Sequence, residues 1–155
     1  MKRLAKSESR KRGEQSKQER PLVFLDTNVI VEYLRGDSAA RQLFSAQACG
    51  RARFAINPIV LQEMLLTGNA AGSKFDRIRD NLRILPADLP KAEALLTRVR
   101  NLRNRVVHSN DLLILSSADE CDFLVTRDER LKNLMKNDKP QVVTPEELVT
   151  RLRAA

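Results

Sequence analysis

From residue 22 to residue 143 the chain alternates short apolar runs with longer amphipathic stretches. The runs LVFLD (22–26), RFAI (53–56), LRIL (82–85), FLVT (123–126) and VV (142–143) are four or five residues long at most. The first of them is a buried-strand candidate, and the others read as short strands. The stretches between them carry helix signals. Residues 27–34 read as a helix stopped by Gly36. Asp37 or Ser38 caps a second helix, expected to run to about Cys49. Asn57 followed by Pro58 is an N-cap and first-turn pair, and opens a helix that carries Glu63. Further helices are expected at 73–81, 110–120 (capped by Ser109 or Asn110), 127–137 and 145–153. A long one capped by Asp88 is expected to reach Arg105, with an apolar stripe of Leu95, Leu96, Val99, Leu102 and Val106. Strands alternating with helices predict the α/β class, a three-layer α/β/α sandwich with a mainly parallel central sheet.

Composition narrows the picture. A chain of 155 residues with 42% hydrophobic content suits one domain with one core. Tryptophan is absent and aromatics make up 4%, so that core must be built from Leu, Ile, Val and Ala. Residues 1–20 differ: eight Lys/Arg stand against three Glu, with almost nothing apolar. Such a segment buries too little surface to offset its ordering entropy and is expected to be a flexible basic arm before a single domain at 21–155. It reads either as a nucleic-acid contact or as a solvated extension. The net charge of +8 fits a polyanionic partner or ordinary solubility charge.

Other chemistry is thin. Cys49 and Cys121 stand far apart without a C-x-x-C pair and read as thiols of a reducing compartment. The single histidine, His108, cannot build a His/Cys zinc site. No apolar run reaches membrane-spanning length, and no signal-peptide core follows the basic start, so a cytoplasmic location is expected.

Four acids change the reading. Asp26, Glu63, Asp111 and Asp128 each adjoin a strongly apolar stretch, where an unpartnered carboxylate is costly. Asp26 ends one strand and Asp128 follows another, so both are expected at the carboxyl edge of the sheet, where α/β sites form. Asp111 opens an apolar helix. Glu63 lies about 8 Å into its helix, and its longer side chain can reach back. Clustered carboxylates raise each other's pKa unless a cation compensates. Oxygen ligands without His or Cys select Mg²⁺ or Mn²⁺ over zinc. Each acid alone also has a plain reading as a cap or surface residue.

The ordered set of DTNV at 26–29, a helical Glu63, D-x-x-I at 111–114 and T-x-D at 126–128 resembles PIN-domain nucleases, and among them VapC-type ribonuclease toxins of toxin–antitoxin modules. The resemblance spans about 22–150. It implies a parallel sheet flanked by helices, Mg²⁺ or Mn²⁺, and RNA cleavage leaving 5′-phosphate and 3′-hydroxyl ends. It implies Asp26, Glu63 and Asp111 as core metal acids, Asp128 as a fourth, and Asn28 and Thr126 as polar residues ordering them. An antitoxin partner is implied likewise. Leu131 departs from the Phe common after T-x-D, and the basic arm departs from chains that begin almost at DTN.

Arg127 and Arg130 flank Asp128 and suit either a phosphate or pairing with the acids. The apolar positions Leu43 and Phe44, and Leu61, Leu65 and Leu66, suit a core, a partner helix or a second copy in a homodimer. Two rival functions stand beside metal-dependent RNA hydrolysis. One is a non-catalytic nucleic-acid-binding module on the same fold. The other is a Mg²⁺-dependent phosphohydrolase, for which DTN lacks a second acid at Asn28.

Overall fold

The computed structural model describes residues 19–68, 72–100, 108–135 and 139–154. The expected arm lies outside them except for Glu19 and Arg20, as do Leu102 and Val106 of the expected stripe.

Five strands form one parallel sheet: β1 (Leu22–Leu25), β2 (Arg53–Ile56), β3 (Leu82–Ile84), β4 (Phe123–Val125) and β5 (Gln141–Val143), in the order β3-β2-β1-β4-β5. The helices are α1 (Thr27–Arg35), α2 (Ser38–Leu43), α3 (Ala46–Arg51), α4 (Pro58–Leu66), α5 (Ser73–Arg79), α6 (Leu89–Arg100), α7 (Ser109–Ala118), α8 (Glu129–Leu134) and α9 (Pro145–Ala154). They flank the sheet in the expected α/β/α arrangement. The apolar runs become strands because parallel sheets are covered on both faces: Val23, Phe24, Leu25, Phe54, Ala55, Ile56, Leu124 and Val125 are all buried. Burying side chains such as Phe24, Phe54 and Leu25 is worth roughly 1.5–3 kcal/mol each.

The topology decides where a site can form. The chain builds outward from β1 through β2 to β3, then returns to the other side of β1 for β4 and β5. Order therefore reverses between β1 and β4, whose registers pair Val23 with Phe123 and Leu25 with Val125. In open α/β sheets, connections leaving such a switch point diverge, and sites form there. Asp26 continues the ladder by donating its backbone N–H to Val125 O at 3.1 Å, and Thr126 does the same to Val143 O.

Several helix ends follow the sequence signals closely. Gly36 ends α1 at φ 95°, a conformation in which a side chain would be strained. Asn57 caps α4 through Val60 N, and Asp88 accepts from Lys91 N at the head of α6. Three expectations need correction. The helix expected to run to Cys49 is two helices, because Ser45 turns and caps Ala48 N to start α3 anew. Helix α7 is entered from His108 rather than capped by Ser109 or Asn110, and Asp111 accepts from His108 N at 3.2 Å. The helix expected at 127–137 is the shorter α8, with Asp128 as its N-cap. No helix among the described residues is long and apolar enough to cross a membrane. Leu43 is core and Phe44 and Leu61 pack against it, whereas Leu65 and Leu66 are 63% and 79% exposed.

Candidate active site

Asp26 sits at the switch point between β1 and β4. It is 7% exposed, and every bond it accepts comes from residues that the sequence places at the β1 and β4 ends. Thr126 Oγ1 donates to Asp26 Oδ2 at 2.6 Å, Asn28 Nδ2 donates to the same oxygen at 2.8 Å, and Thr27 N donates to Oδ1 at 2.7 Å. Thr126 Oγ1 also accepts from Asp128 N at 3.0 Å and from Asn28 Nδ2 at 3.3 Å. One hydroxyl thus links the first acid to the turn that carries the fourth.

Burial pushes the Asp26 carboxyl up to about 6, and the charges of Glu63 and Asp128 push in the same direction. The Thr126 and Thr27 bonds hold it down only in part. A buried acid crowded by two other acids is the electrostatic condition that a cation relieves.

Glu63, on α4, takes a hydrogen bond from the Thr27 hydroxyl at Oε2 and from Asn110 Nδ2 at Oε1, the latter at 2.8 Å. Helix α4 is set against α7 by Asn57, which is fully buried. Its Nδ2 donates to Leu113 O at 3.2 Å and to Ser117 Oγ at 3.0 Å, while its Oδ1 caps Val60 N. One amide therefore fixes the relation between the helix bearing Glu63 and the helix bearing Asp111.

Asp128 is clasped by Arg130, whose Nη2 lies 2.6 Å from Oδ2 and whose Nε lies 3.1 Å from Oδ1. That guanidinium holds the Asp128 carboxyl below its ordinary range. The charge of Asp111 acts on Arg130 in turn. Arg127 turns elsewhere. Its Nε lies 2.7 Å from Glu32 Oε2, and its Nη2 lies 2.7 Å from Glu146 Oε1 and 3.7 Å from Asp37. It braces the β4–α8 turn against α1 and α9.

Asp26, Glu63 and Asp128 are thus linked through Thr27, Thr126 and their mutual fields, whereas Asp111 bonds to His108 N at the head of its own helix and acts only on Arg130 by its charge. Among the described residues no group of three or more His, Cys, Asp and Glu is gathered closely enough to hold an ion as it stands. The donor set itself is all carboxylate oxygen, the chemistry that hard divalent cations take. A guanidinium already serves as counter-cation on Asp128.

The PIN domain family model matches residues 23–137, well over half of the chain. The chain belongs to the PIN domain family. This is a family of nucleases, and the match covers Asp26, Glu63, Asp111 and Asp128 together. No curated protein matches in sequence. Among solved structures, this PIN domain is similar to a chain of VapBC2 from Rickettsia felis, bound to a DNA fragment from their promoter. The identity is 22% and the TM-score 0.61, over 79% of this chain and 98% of that one. It is also similar to a toxin–antitoxin complex from Klebsiella pneumoniae, at 23% identity and TM-score 0.56, covering 79% and 97%. FitAcB from Neisseria gonorrhoeae gives 21% identity and TM-score 0.58, covering 79% and 97%. These likenesses agree with the PIN fold.

Sequence reasoning named the acids, Asn28 and Thr126, and missed three supports. Asn110 appears in the sequence only as a cap candidate, yet it reaches Glu63. Thr27 likewise reaches across 36 residues. Asn57 signals a cap through its Pro58 neighbour, but nothing local marks its bonds to α7.

Proposed function

We propose that this PIN-domain protein is a metal-dependent endoribonuclease, acting as the toxin of a toxin–antitoxin pair. The observation that carries the reading is Asp26: a buried carboxylate at the β1/β4 switch point, pushed up by burial and by Glu63 and Asp128. Asp26, Glu63, Asp111 and Asp128 would hold Mg²⁺ or Mn²⁺. When bound, such an ion supplies an activated water and neutralises charge on phosphate oxygens.

The chain's own residues do the positioning. Thr126 and Asn28 keep Asp26 Oδ2 fixed in a low-dielectric site, where preorganised charge acts most strongly. Thr27 and Asn110 hold the Glu63 carboxylate from both sides. Arg130, half-exposed above Asp128, has guanidinium donors that suit an RNA phosphate. The direct test is cleavage of single-stranded RNA in Mn²⁺, with and without EDTA. Products carrying 5′-phosphate ends are expected from the wild type and none from Asp26→Asn. Equal cleavage by that variant would defeat the assignment.

The partner reading rests on fold likeness to toxin–antitoxin complexes. It is tested by co-expression with the product of a neighbouring reading frame, which should co-purify and suppress cleavage. A homodimer is expected from the exposed Leu65 and Leu66, and light scattering would reveal it.

A second reading has an observation in its favour. Glu63, Asp111 and Asp128 each have a protein partner, which suits a nucleic-acid-binding module without chemistry. It predicts RNA binding that is indifferent to Asp26→Asn, with no metal-dependent product.

A further inference from the structure

Asn110 is the second residue of α7 and immediately precedes Asp111. It is exposed, yet half of its side chain is fixed: Nδ2 donates to Glu63 Oε1 at 2.8 Å. That bond settles which way the amide faces. A carboxylate only accepts, so the NH₂ group must point at Glu63 and the carbonyl must point away from it. Glu63 cannot swing freely either, because the Thr27 hydroxyl donates to its other oxygen.

The carbonyl half is open. Among the described residues no donor reaches Asn110 Oδ1. The neutral oxygens beside Asp26 are engaged by comparison: Asn28 Oδ1 accepts from Arg127 N at 3.5 Å, and Thr126 Oγ1 accepts from Asp128 N at 3.0 Å. Asn110 Oδ1 is thus a neutral acceptor held in one orientation, one amide's width from Glu63 and one residue before Asp111.

We propose that Asn110 reads the sugar of the substrate: its Oδ1 accepts a hydrogen bond from the ribose 2′-hydroxyl beside the scissile phosphate and so selects RNA over DNA. The 2′-hydroxyl is the group that distinguishes the two nucleic acids, and it can donate. Hydrolysis that leaves a 3′-hydroxyl spares the 2′-hydroxyl next to it, so that group is available for recognition. A phosphate placed at the acids for cleavage brings this vicinal hydroxyl within one sugar ring of them. An ionised phosphate oxygen offers an amide carbonyl no proton, and the base donors lie beyond the sugar. The proposal rests on the nuclease reading and assigns its choice of substrate to one side chain.

The test uses the full chain and a fluorescein-labelled 12-nucleotide single-stranded RNA in all-ribo and all-2′-fluoro forms. Fluorine keeps an RNA-like sugar and removes the donated proton. Cleavage is read as kcat/KM in Mn²⁺, and binding as anisotropy in Ca²⁺. The wild type is expected to prefer the ribo form about fivefold in both, the size of one neutral hydrogen bond made in exchange for water. Asn110→Leu should lower kcat/KM on both forms, because Glu63 loses a support, and should bring the ratio close to one. The ratio compares two substrates on one protein, so any loss of folded protein cancels. A preference that survives Asn110→Leu would overturn the proposal, as would a wild type indifferent to 2′-fluoro, and continued cleavage would leave the nuclease reading standing. A ribose preference in binding that Asn110→Leu abolishes, in a chain that cleaves neither form, would keep the contact and defeat the nuclease reading instead.

Discussion

The Thr126 hydroxyl holds Asp26 Oδ2 at 2.6 Å, joining the ends of β4 and β1 across a hundred residues of chain. It is the shortest of the three hydrogen bonds that this buried carboxylate accepts, and the balance it strikes can be measured.

Folding binds a proton at Asp26. Its folded value is about 6 against 3.8 ordinarily, so the native state binds protons more tightly than the unfolded chain between those values. Asp26 therefore contributes stability below about pH 4 and loses it as pH rises through 6. The loss is about 3 kcal/mol in all, at about 1.4 per pKa unit. In EDTA, the advantage of Asp26→Asn over wild type in urea midpoint should grow from pH 4 to pH 7. A constant difference across that range would contradict it.

Thr126→Val keeps the shape and removes the hydroxyl. The Asp26 carboxyl should then titrate about one unit higher, because a hydrogen bond to a charged group is worth about 1.5–3 kcal/mol. Carboxyl ¹³C NMR against pH measures this directly. Thr126→Ser should restore the wild-type value.

Asn57→Ala removes the α4 cap and the two bonds to α7 at one stroke. A lost cap costs about 1 kcal/mol and an orphaned buried acceptor about 1–3 more. A destabilisation of about 2–4 kcal/mol is expected in urea titration. RNA cleavage should fall more than folded fraction does, because the Glu63 and Asp111 helices lose their common brace.

Arg130→Gln should leave the melting temperature almost unmoved, since its pair with Asp128 is half-exposed. The Asp128 carboxyl should titrate upward, because the Arg130 bond is the largest influence holding it low. An unmoved Asp128 titration would show that the clasp is not formed in solution.

The strands were legible because a parallel sheet buries both faces, so LVFL, RFAI and FLV carry their position as plain apolarity. The break between α2 and α3 was not. Leu43, Phe44 and Ala48 continue an apolar pattern straight through Ser45, and only its cap on Ala48 N reveals the turn. Before α7, Ser109 and Asn110 both offered themselves as cap, and nothing local marked His108 as the residue from which the helix is entered. The acids were readable by type and by the strands they follow. Their partners were not, because Thr27 and Asn110 meet Glu63 only after the sheet has formed. Arg130 was readable as a neighbour of Asp128, whereas Arg127 was equally close in sequence and is drawn off by Glu32 and Glu146.

The braces sort the acids into two mechanical halves. Arg127 ties the turn of Asp128 to α1, at whose head Asp26 sits, while Asn57 ties the helix of Glu63 to that of Asp111. The Thr27 hydroxyl, beside Asp26 and bonded to Glu63, is what stitches one half to the other, so its loss would free each pair to settle apart from its counterpart.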